Sequence, residues 1–424
     1  MEIAAGERRD DDAHATGRAP NRGDGLTTMT PLHRIEEPPH GDSGRFALWE
    51  LGFRPFYLLA SVFAALSVPL WALQYYGLLG HAVVRGPLWH AHEMLFGFTQ
   101  AVIVGFLFTA GRNWTNLPTP TGWRLAALAL LWLAARVAVL APWPALAAAL
   151  NVAFPLAAAV ALAIPFVRAG VRRNYFFVGL LVLLALASGL VHLSIWRGGV
   201  ELAARGIQIA LDVVLFIVAV MAGRVVPMFT NNGVPGAGAT HQPVVERAAL
   251  GSLLLLLAVS AAGLNGAGVA ILSAVACAAH AWRWRLWQPQ RTLRAPLVWV
   301  LHLAYAWIPV HLGLRALAEL GVVAATLSVH ALTTGAIGGM VIGMMTRTAR
   351  GHTARPLRAD RWDTACYALV ALAAVLRVGG PLIDPALSRG AVLAAATLWS
   401  AGFALFAVRY WPVLSRARLD GKPG

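Results

Sequence analysis

Apolar residues in this chain run in long blocks rather than alternating, and polar residues gather in the short gaps between the blocks. The blocks recur near 56–77, 90–111, 123–141, 146–167, 175–196, 206–226, 246–264, 266–287, 296–318, 325–347, 361–378 and 388–411. Each is close to the roughly 20 residues that a helix needs to cross the hydrocarbon core. The links Pro142-Trp143-Pro144 and Asn265-Gly266 read as tight turns between antiparallel helices. The pattern predicts an all-α, polytopic membrane bundle of about twelve transmembrane helices.

Composition supports lipid as the solvent. Hydrophobic residues make up 58% of the 424 positions and charged residues 12%, and mean hydropathy is +0.65. That is too little charge to cover a soluble protein of this size. The net charge of +15 would suit nucleic acid, but its placement excludes that partner. Arginines sit in the short loops, about 15 Lys and Arg in one alternate set against about 6 in the other. The richer set holds the loops around Arg112, Arg168 to Arg173, Arg283 to Arg294 and Arg347 to Arg361; the poorer set holds Arg85, Arg197 and Arg389. The positive-inside rule places both termini in the cytoplasm of a bacterial inner membrane, as an even number of spans requires. Residues 1–48 mix acids, Arg, Pro and Gly without an apolar run and read as a disordered cytoplasmic tail; 50–411 form the membrane domain and 412–424 a second cytoplasmic tail. Cys277 and Cys366 both fall inside spans, which argues against a disulfide or a thiolate zinc site.

Two echoes recur at four-helix intervals. Arg112, Arg224 and Arg347 each close an even-numbered span, and Val-His-Leu appears around His192 on span five and around His311 on span nine. Three four-helix units would account for both; snorkelling arginines would account for the first.

Ionisable side chains inside a bilayer cost roughly 2.5–3.5 kcal/mol each at mid-span when charged, so they mark candidate chemistry. His90, His92, His192, His311 and His330 fall within roughly 0–11 Å of the outer boundary at helical rise. His280 and His302 fall roughly 9–11 Å from the inner one. His302 and His311 differ by about 180° around their helix, so one ion cannot take both. His90 and His92 are about 200° apart if both are helical, and converge only if Gly86-Pro87 delays the helix. Neutral imidazole is the common ligand for copper, haem iron and zinc. The outer five are candidate metal ligands, His280 and His302 are candidate haem ligands, and His352 reads as a surface residue. Glu93 and Asp212 are placed to orient an imidazole, although Asp212 equally suits pairing with Arg136 or Arg315. Arg54, Arg112, Arg224 and Arg347 either hold haem propionates or follow from the charge bias, the simpler account. Gly335, Gly339 and Gly343 offer either a macrocycle surface or a helix-packing face. Met340, Met344 and Met345 are copper(I) candidates or core filler.

Four motifs carry a resemblance. Gly52-Phe-Arg-Pro-Phe56, Trp89-His-Ala-His-Glu-Met-Leu-Phe-Gly-Phe98, Gly223-Arg-Val-Val-Pro-Met-Phe-Thr-Asn-Asn232, and the stretch from His330 to Leu357 ending in Gly351-His-Thr-Ala-Arg-Pro-Leu357 occur in order. Over residues 50 to about 411 the chain resembles the NnrS family. The resemblance implies a twelve-helix membrane protein with haem and copper, encoded beside denitrification genes and protecting against nitric oxide and nitrosative stress. A likeness to the haem–copper oxidase catalytic subunit is weaker. Those enzymes take copper ligands from spans six and seven, where this chain has Asp212 and no histidine. The alternative is a proton-coupled transporter or channel without metal, using the buried histidines, Asp212 and Arg136. A sensor would need an output domain that the short tails do not provide. The sequence identifies neither an electron donor nor an oligomeric state.

Overall fold

The computed structural model describes residues 44–75 and 86–422. The expected tail over 1–48 and the loop at Arg85 therefore lie largely outside the described residues. Twelve long helical runs follow one another: α1 (Phe53–Tyr75), α2 (Gly86–Thr115), α3 (Gly122–Leu140), α4 (Pro144–Arg168), α5 (Phe176–Arg197), α6 (Glu201–Gly233), α7 (Pro243–Ala262), α8 (Ala267–Leu286), α9 (Pro296–Glu319), α10 (Ala325–His352), α11 (Arg361–Ile383) and α12 (Ser388–Ser415). Eleven are long and apolar enough to cross a membrane. The exception is α8, which carries Arg283 and Arg285 in its last turn. Helices are the only open-chain solution here, because hydrocarbon offers no partner for a backbone N–H or C=O. No strand forms among the described residues; Phe46 and Arg416 make one isolated antiparallel bridge beside the start of α1 and the end of α12.

The four-helix echo corresponds to a packing pattern. In α2, α6 and α10 the most apolar stretch is 89%, 78% and 67% buried, whereas in α3, α4, α7, α11 and α12 it is 22–39%. The second helix of each four is therefore central. The first helix of each unit packs on the last of the unit before it: α5 on α4, α9 on α8, and α1 on α12. Three four-helix units close into a ring around α2, α6 and α10. These three meet at their C-terminal ends through arginine–aromatic contacts. Arg224 of α6 lies 5.7 Å from the Trp114 ring of α2, and Arg347 of α10 lies 3.6 Å from the Phe229 ring of α6. The arginine echo thus has a packing role at all but Arg112, a half-buried residue.

Two of the central helices are not α-helical throughout. Glu93–Thr99 in α2 and Ala331–Gly338 in α10 wind as π-helix. Thr99 Oγ1 follows the wider turn and donates to the Met94 carbonyl five residues back at 2.8 Å. Trp132 of α3 donates to the Gly97 carbonyl at 3.0 Å. Wide turns of this kind are uncommon and recur at functional sites. Here each begins directly after a candidate histidine, His92 or His330.

The glycine face of α10 is closed by α9. A Cβ at Gly335 would overlap the Trp307 ring, one at Gly339 would lie 2.9 Å from Ala304 Cβ, and one at Gly343 would lie 2.9 Å from Val300 and Leu301. The face is a helix-packing surface, and α9 occupies the place of a macrocycle. Met340 and Met345 are buried in the same core. Replacing Gly335 by Ala should therefore strain the α9–α10 contact by about 1–3 kcal/mol. Thermal unfolding of the detergent-solubilised protein checks this, and an unchanged midpoint would contradict the close approach.

Candidate metal centre

Helix α2 starts at Gly86, so His90 and His92 are both helical and point to different neighbours. Gly86-Pro87 opens the helix rather than delaying it, and the two side chains do not converge. Instead the outer histidines separate into pairs. The His92 ring meets the His192 ring of α5 at 5.0 Å between centroids, inclined by 82°. The His90 ring faces the His330 ring of α10 at 6.5 Å, within 10° of parallel, and Trp71 of α1 flanks His90 at 4.8 Å. His311 joins neither pair. Its Nδ1 lies 2.9 Å from the Ser328 carbonyl and 3.0 Å from Ser328 Oγ. Among the described residues no three His, Cys, Asp or Glu side chains gather into a metal-ligating group. The expected outer layer resolves into two pairs and an outlier.

Hydrogen bonding decides which nitrogens are available. His92 and Glu93 are fully buried, and His92 Nδ1 lies 2.7 Å from Glu93 Oε1. An ionised carboxylate only accepts, so Nδ1 carries the proton and Nε2 keeps its lone pair. That Nε2 is buried and has no partner, and the same holds for His192 Nε2. Arg136 of α3 donates to Glu93 Oε1 at 2.8 Å and to Asn151 Oδ1 of α4. Asn151 Nδ2 in turn donates to the Ala147 carbonyl at 2.8 Å. The charge of Glu93 is neutralised within the protein, and the chain of bonds runs from α4 through α3 to the imidazole on α2. His330 Nδ1 donates to the Thr326 carbonyl at 2.7 Å, which leaves its Nε2 as the acceptor. His90 Nδ1 is buried without a partner.

The inner pair is unlike the outer ones. His280 spends both nitrogens: Nε2 donates to the Ala249 carbonyl at 3.1 Å, and Nδ1 accepts from Tyr305 OH at 2.7 Å. Arg283 Nη1 donates to the same phenol at 3.0 Å and pairs through Nη2 with Glu246 at 2.5 Å. His280 is thus a structural histidine. His302 uses Nε2 on Thr230 Oγ1 at 2.7 Å. Because that hydroxyl donates to the Val226 carbonyl at 2.8 Å, Nε2 is the donor and Nδ1 is left bare and buried. His311 Nε2 is bare in the same way.

Asp212 touches no histidine. It accepts from Arg315 at 2.7 Å, from Ser260 at 2.6 Å and from Gln208 at 3.1 Å, a closed lock among α6, α7 and α9. Arg54 donates to the carbonyls of Leu414 and Arg416 at the end of α12. Arg224 donates to Asn174 at 2.9 Å. His352, read from the sequence as a surface residue, is half-buried with its ring 5.6 Å from Phe53. A polar, arginine-rich neighbourhood gave no hint that α1 would cover it. Arg136, Asn151, Thr230 and Ser328 complete these sites, and only the identity of Arg136 as an intramembrane charge marked any of them in advance.

The sequence matches the family described as NnrS protein over residues 47–418. The chain belongs to the NnrS family. No curated protein matches it. The match takes in every helix of the ring and both histidine pairs, so the geometry above is that of an NnrS-family membrane domain.

A metal ion fits the outer pairs better than any other place described. A first-row ion sits about 2.0–2.1 Å from an imidazole nitrogen, or roughly 3 Å from the ring centroid. Two rings sharing an ion are thus up to roughly 6 Å apart, so 5.0 Å suits a bent arrangement, whereas the His90 and His330 rings at 6.5 Å would have to close slightly to share one. The carboxylate on the far nitrogen of His92 is the usual support of a ligating histidine. For haem, bare nitrogens exist at His302 and His311. Two open grooves of about 660 and 170 Å³ on α8–α9 and α9–α11 include none of these residues.

The Glu93–Arg136 pair should behave as a unit. Arg136→Met strands a buried carboxylate and should cost about 3–5 kcal/mol, while the double change with Glu93→Gln should recover much of that loss. Thermal unfolding of the three proteins side by side measures it; additive losses would show that the pair is not coupled.

Proposed function

We propose that this multi-pass NnrS-family protein binds copper and haem in the bacterial inner membrane, with both termini cytoplasmic, and there binds or detoxifies nitric oxide or relieves nitrosative stress. The observation that carries this reading is the set of tautomer-fixed imidazoles whose second nitrogen is buried and bare. A buried polar atom without a partner costs about 1–3 kcal/mol, and two bare rings that meet, His92 and His192, favour a ligand between them.

In this reading His92 and His192 hold copper, Glu93 orients His92, and Arg136 pairs with Glu93 so that no net charge is left in hydrocarbon. His90 and His330, on two central helices and each close to a π-helical turn, form the second ligand pair. Bound at these sites, copper or haem iron would supply an open coordination position for a small diatomic ligand. The chain's own contribution is to present lone pairs, fix ring orientation, and exclude water by the packing of Trp71, Trp89 and Phe96. His302 is the remaining candidate for an axial haem ligand, with Thr230 orienting its ring. His280 is not retained, because neither nitrogen is free. Nitric oxide is small and uncharged and reaches such a site through lipid without a polar channel.

Purified protein expressed with adequate haem and copper should show a Soret band and bound copper. His92→Ala and His192→Ala should each lose copper, and His330→Ala should change the spectrum, whereas His352→Ala should leave metal content intact. Absence of both haem and copper from protein shown to be folded would end the proposal and favour metal-free solute or proton transport, which solute uptake into proteoliposomes would then test.

A further inference from the structure

The motif Gly351-His-Thr-Ala-Arg-Pro-Leu357 lies at the opposite end of the molecule from the histidine pairs and takes no part in them. It closes α10 in an unusual way. Ala354 adopts φ +58°, a left-handed conformation that disfavours any residue with a Cβ and that helix ends normally assign to glycine. Arg355 N–H then returns to the Arg350 carbonyl at 2.9 Å. This turn carries the Arg355 side chain to a place where its Nη1 is buried and has no hydrogen-bond partner.

Four chain segments converge there. Phe53 at the start of α1 donates its N–H to Thr109 near the end of α2 at 3.1 Å and lies against His352 at the end of α10. Arg54 reaches the carbonyls of Leu414 and Arg416 past α12, and Arg418 Nη1 donates to the His352 carbonyl at 3.1 Å. The Ala417 N–H reaches the Arg45 carbonyl at 3.0 Å. Arg54 lies in the fields of Arg45, Arg355 and Arg418, Arg355 in those of Arg350, Arg409 and Arg416, and His352 in that of Arg112.

The carboxylates among the described residues of this region are already committed. Glu50 pairs with Arg45 at 2.5 Å. Asp360 and Asp363 are held by Arg350, and Asp360 also by Arg409. The hydrogen bonds of Arg418 pull the Asp420 carboxyl down to about 2, so that charge stays on its own partner. Arg112, Arg355 and Arg416 have no carboxylate among the described residues. Loop arginines follow from the charge bias of membrane proteins, but that bias does not bury a guanidinium nitrogen without an acceptor among like charges.

We infer that the arginine-rich end of α10, with the bare Arg355 Nη1 at its centre, the exposed Arg416 on one side and Arg112 on the His352 side, is a binding site for a phosphate-type oxyanion. Either the headgroup of an anionic phospholipid in the leaflet on the arginine-rich side or free phosphate supplies this chemistry. A guanidinium fork matches phosphate oxygens in pairs, and anionic lipid adds to such basic clusters on one membrane face. The site does not depend on metal at the histidine pairs.

Full-length protein in phosphatidylcholine nanodiscs, with no phosphate in the buffer, provides the baseline. Adding inorganic phosphate, or replacing part of the lipid by phosphatidylglycerol, should raise the thermal midpoint. Arg355→Gln should weaken the response by about tenfold to a hundredfold in half-saturating concentration, and Arg355→Lys should recover only part of it. Arg112→Gln gives a second, independent reading if the Arg355 variants fold poorly. Arg124→Gln, an exposed arginine of α3 outside the cluster, should respond like the parent. A response to phosphate alone identifies a soluble ligand, and one to phosphatidylglycerol alone identifies a headgroup. No response to either, or an equal response in the parent, the Arg355 and the Arg112 variants, overturns the site.

Discussion

A single carboxylate shared between an imidazole and a guanidinium underlies the arrangement of the histidines. Glu93 lies 2.7 Å from His92 Nδ1 and 2.8 Å from Arg136 Nη1, with all three side chains buried. Arg136 balances the Glu93 charge inside the protein, where an unpaired carboxylate would be costly. With Arg136 in place the carboxylate accepts, and Nε2 keeps its lone pair. The imidazole on α2 is therefore tied through one carboxylate to a cation on α3, which is itself steadied by Asn151 on α4. Neither outer helix needs to touch the histidine pair to support it.

The same constraint orders the ring of helices. Polar groups in lipid must find partners inside the protein, and here they find them on other helices, both neighbouring and distant in the chain. Asp212 with Arg315 ties α6 to α9, and Glu246 with Arg283 ties α7 to α8 and through Tyr305 to α9. Such pairs add little net stability, because each charge loses its hydration on burial. What they supply is register: a helix rotated by one residue would strand a charge. Register is what two histidines on different helices require in order to face each other within a few ångströms.

The twelve helices were legible because the bilayer fixes their length and leaves only the ends open. Even so, α6 runs over Glu201–Gly233 rather than 206–226, since its last turns are amphipathic and pack Phe229 against Arg347 beyond the apolar run. The three-unit pattern was visible in Arg112, Arg224 and Arg347 and in the paired Val-His-Leu sequences, because repeated units keep their ends alike. That histidines of one expected layer would pair followed from helical rise. Their partners did not, since which faces meet depends on the rotation of α2, α5 and α10 about their own axes. The π-helical turns in α2 and α10 alter that rotation, and Gly97, Thr99 and Gly335 look no different in sequence from residues of an ordinary helix. His352 was misplaced for a related reason: a residue at a helix end is covered or open according to a neighbour remote in sequence, here Phe53.

The distribution of satisfied and unsatisfied polar atoms bears on the choice between metal binding and transport. A polar transport route needs side chains that exchange partners with solute or water along a continuous path. The buried charges of this chain are instead engaged in closed locks: Asp212 accepts three hydrogen bonds, and Arg283 donates to Glu246, Tyr305 and the Ala219 carbonyl. The bare atoms at His92, His192, His302 and His311 are imidazole nitrogens, and where the partner bond fixes the tautomer, at His92, His302 and His311, the bare nitrogen is the one with the lone pair. Bare donors are buried as well, at Trp89, Trp287 and Trp399, so the metal reading rests on where bare imidazoles meet, His92 against His192, rather than on their number.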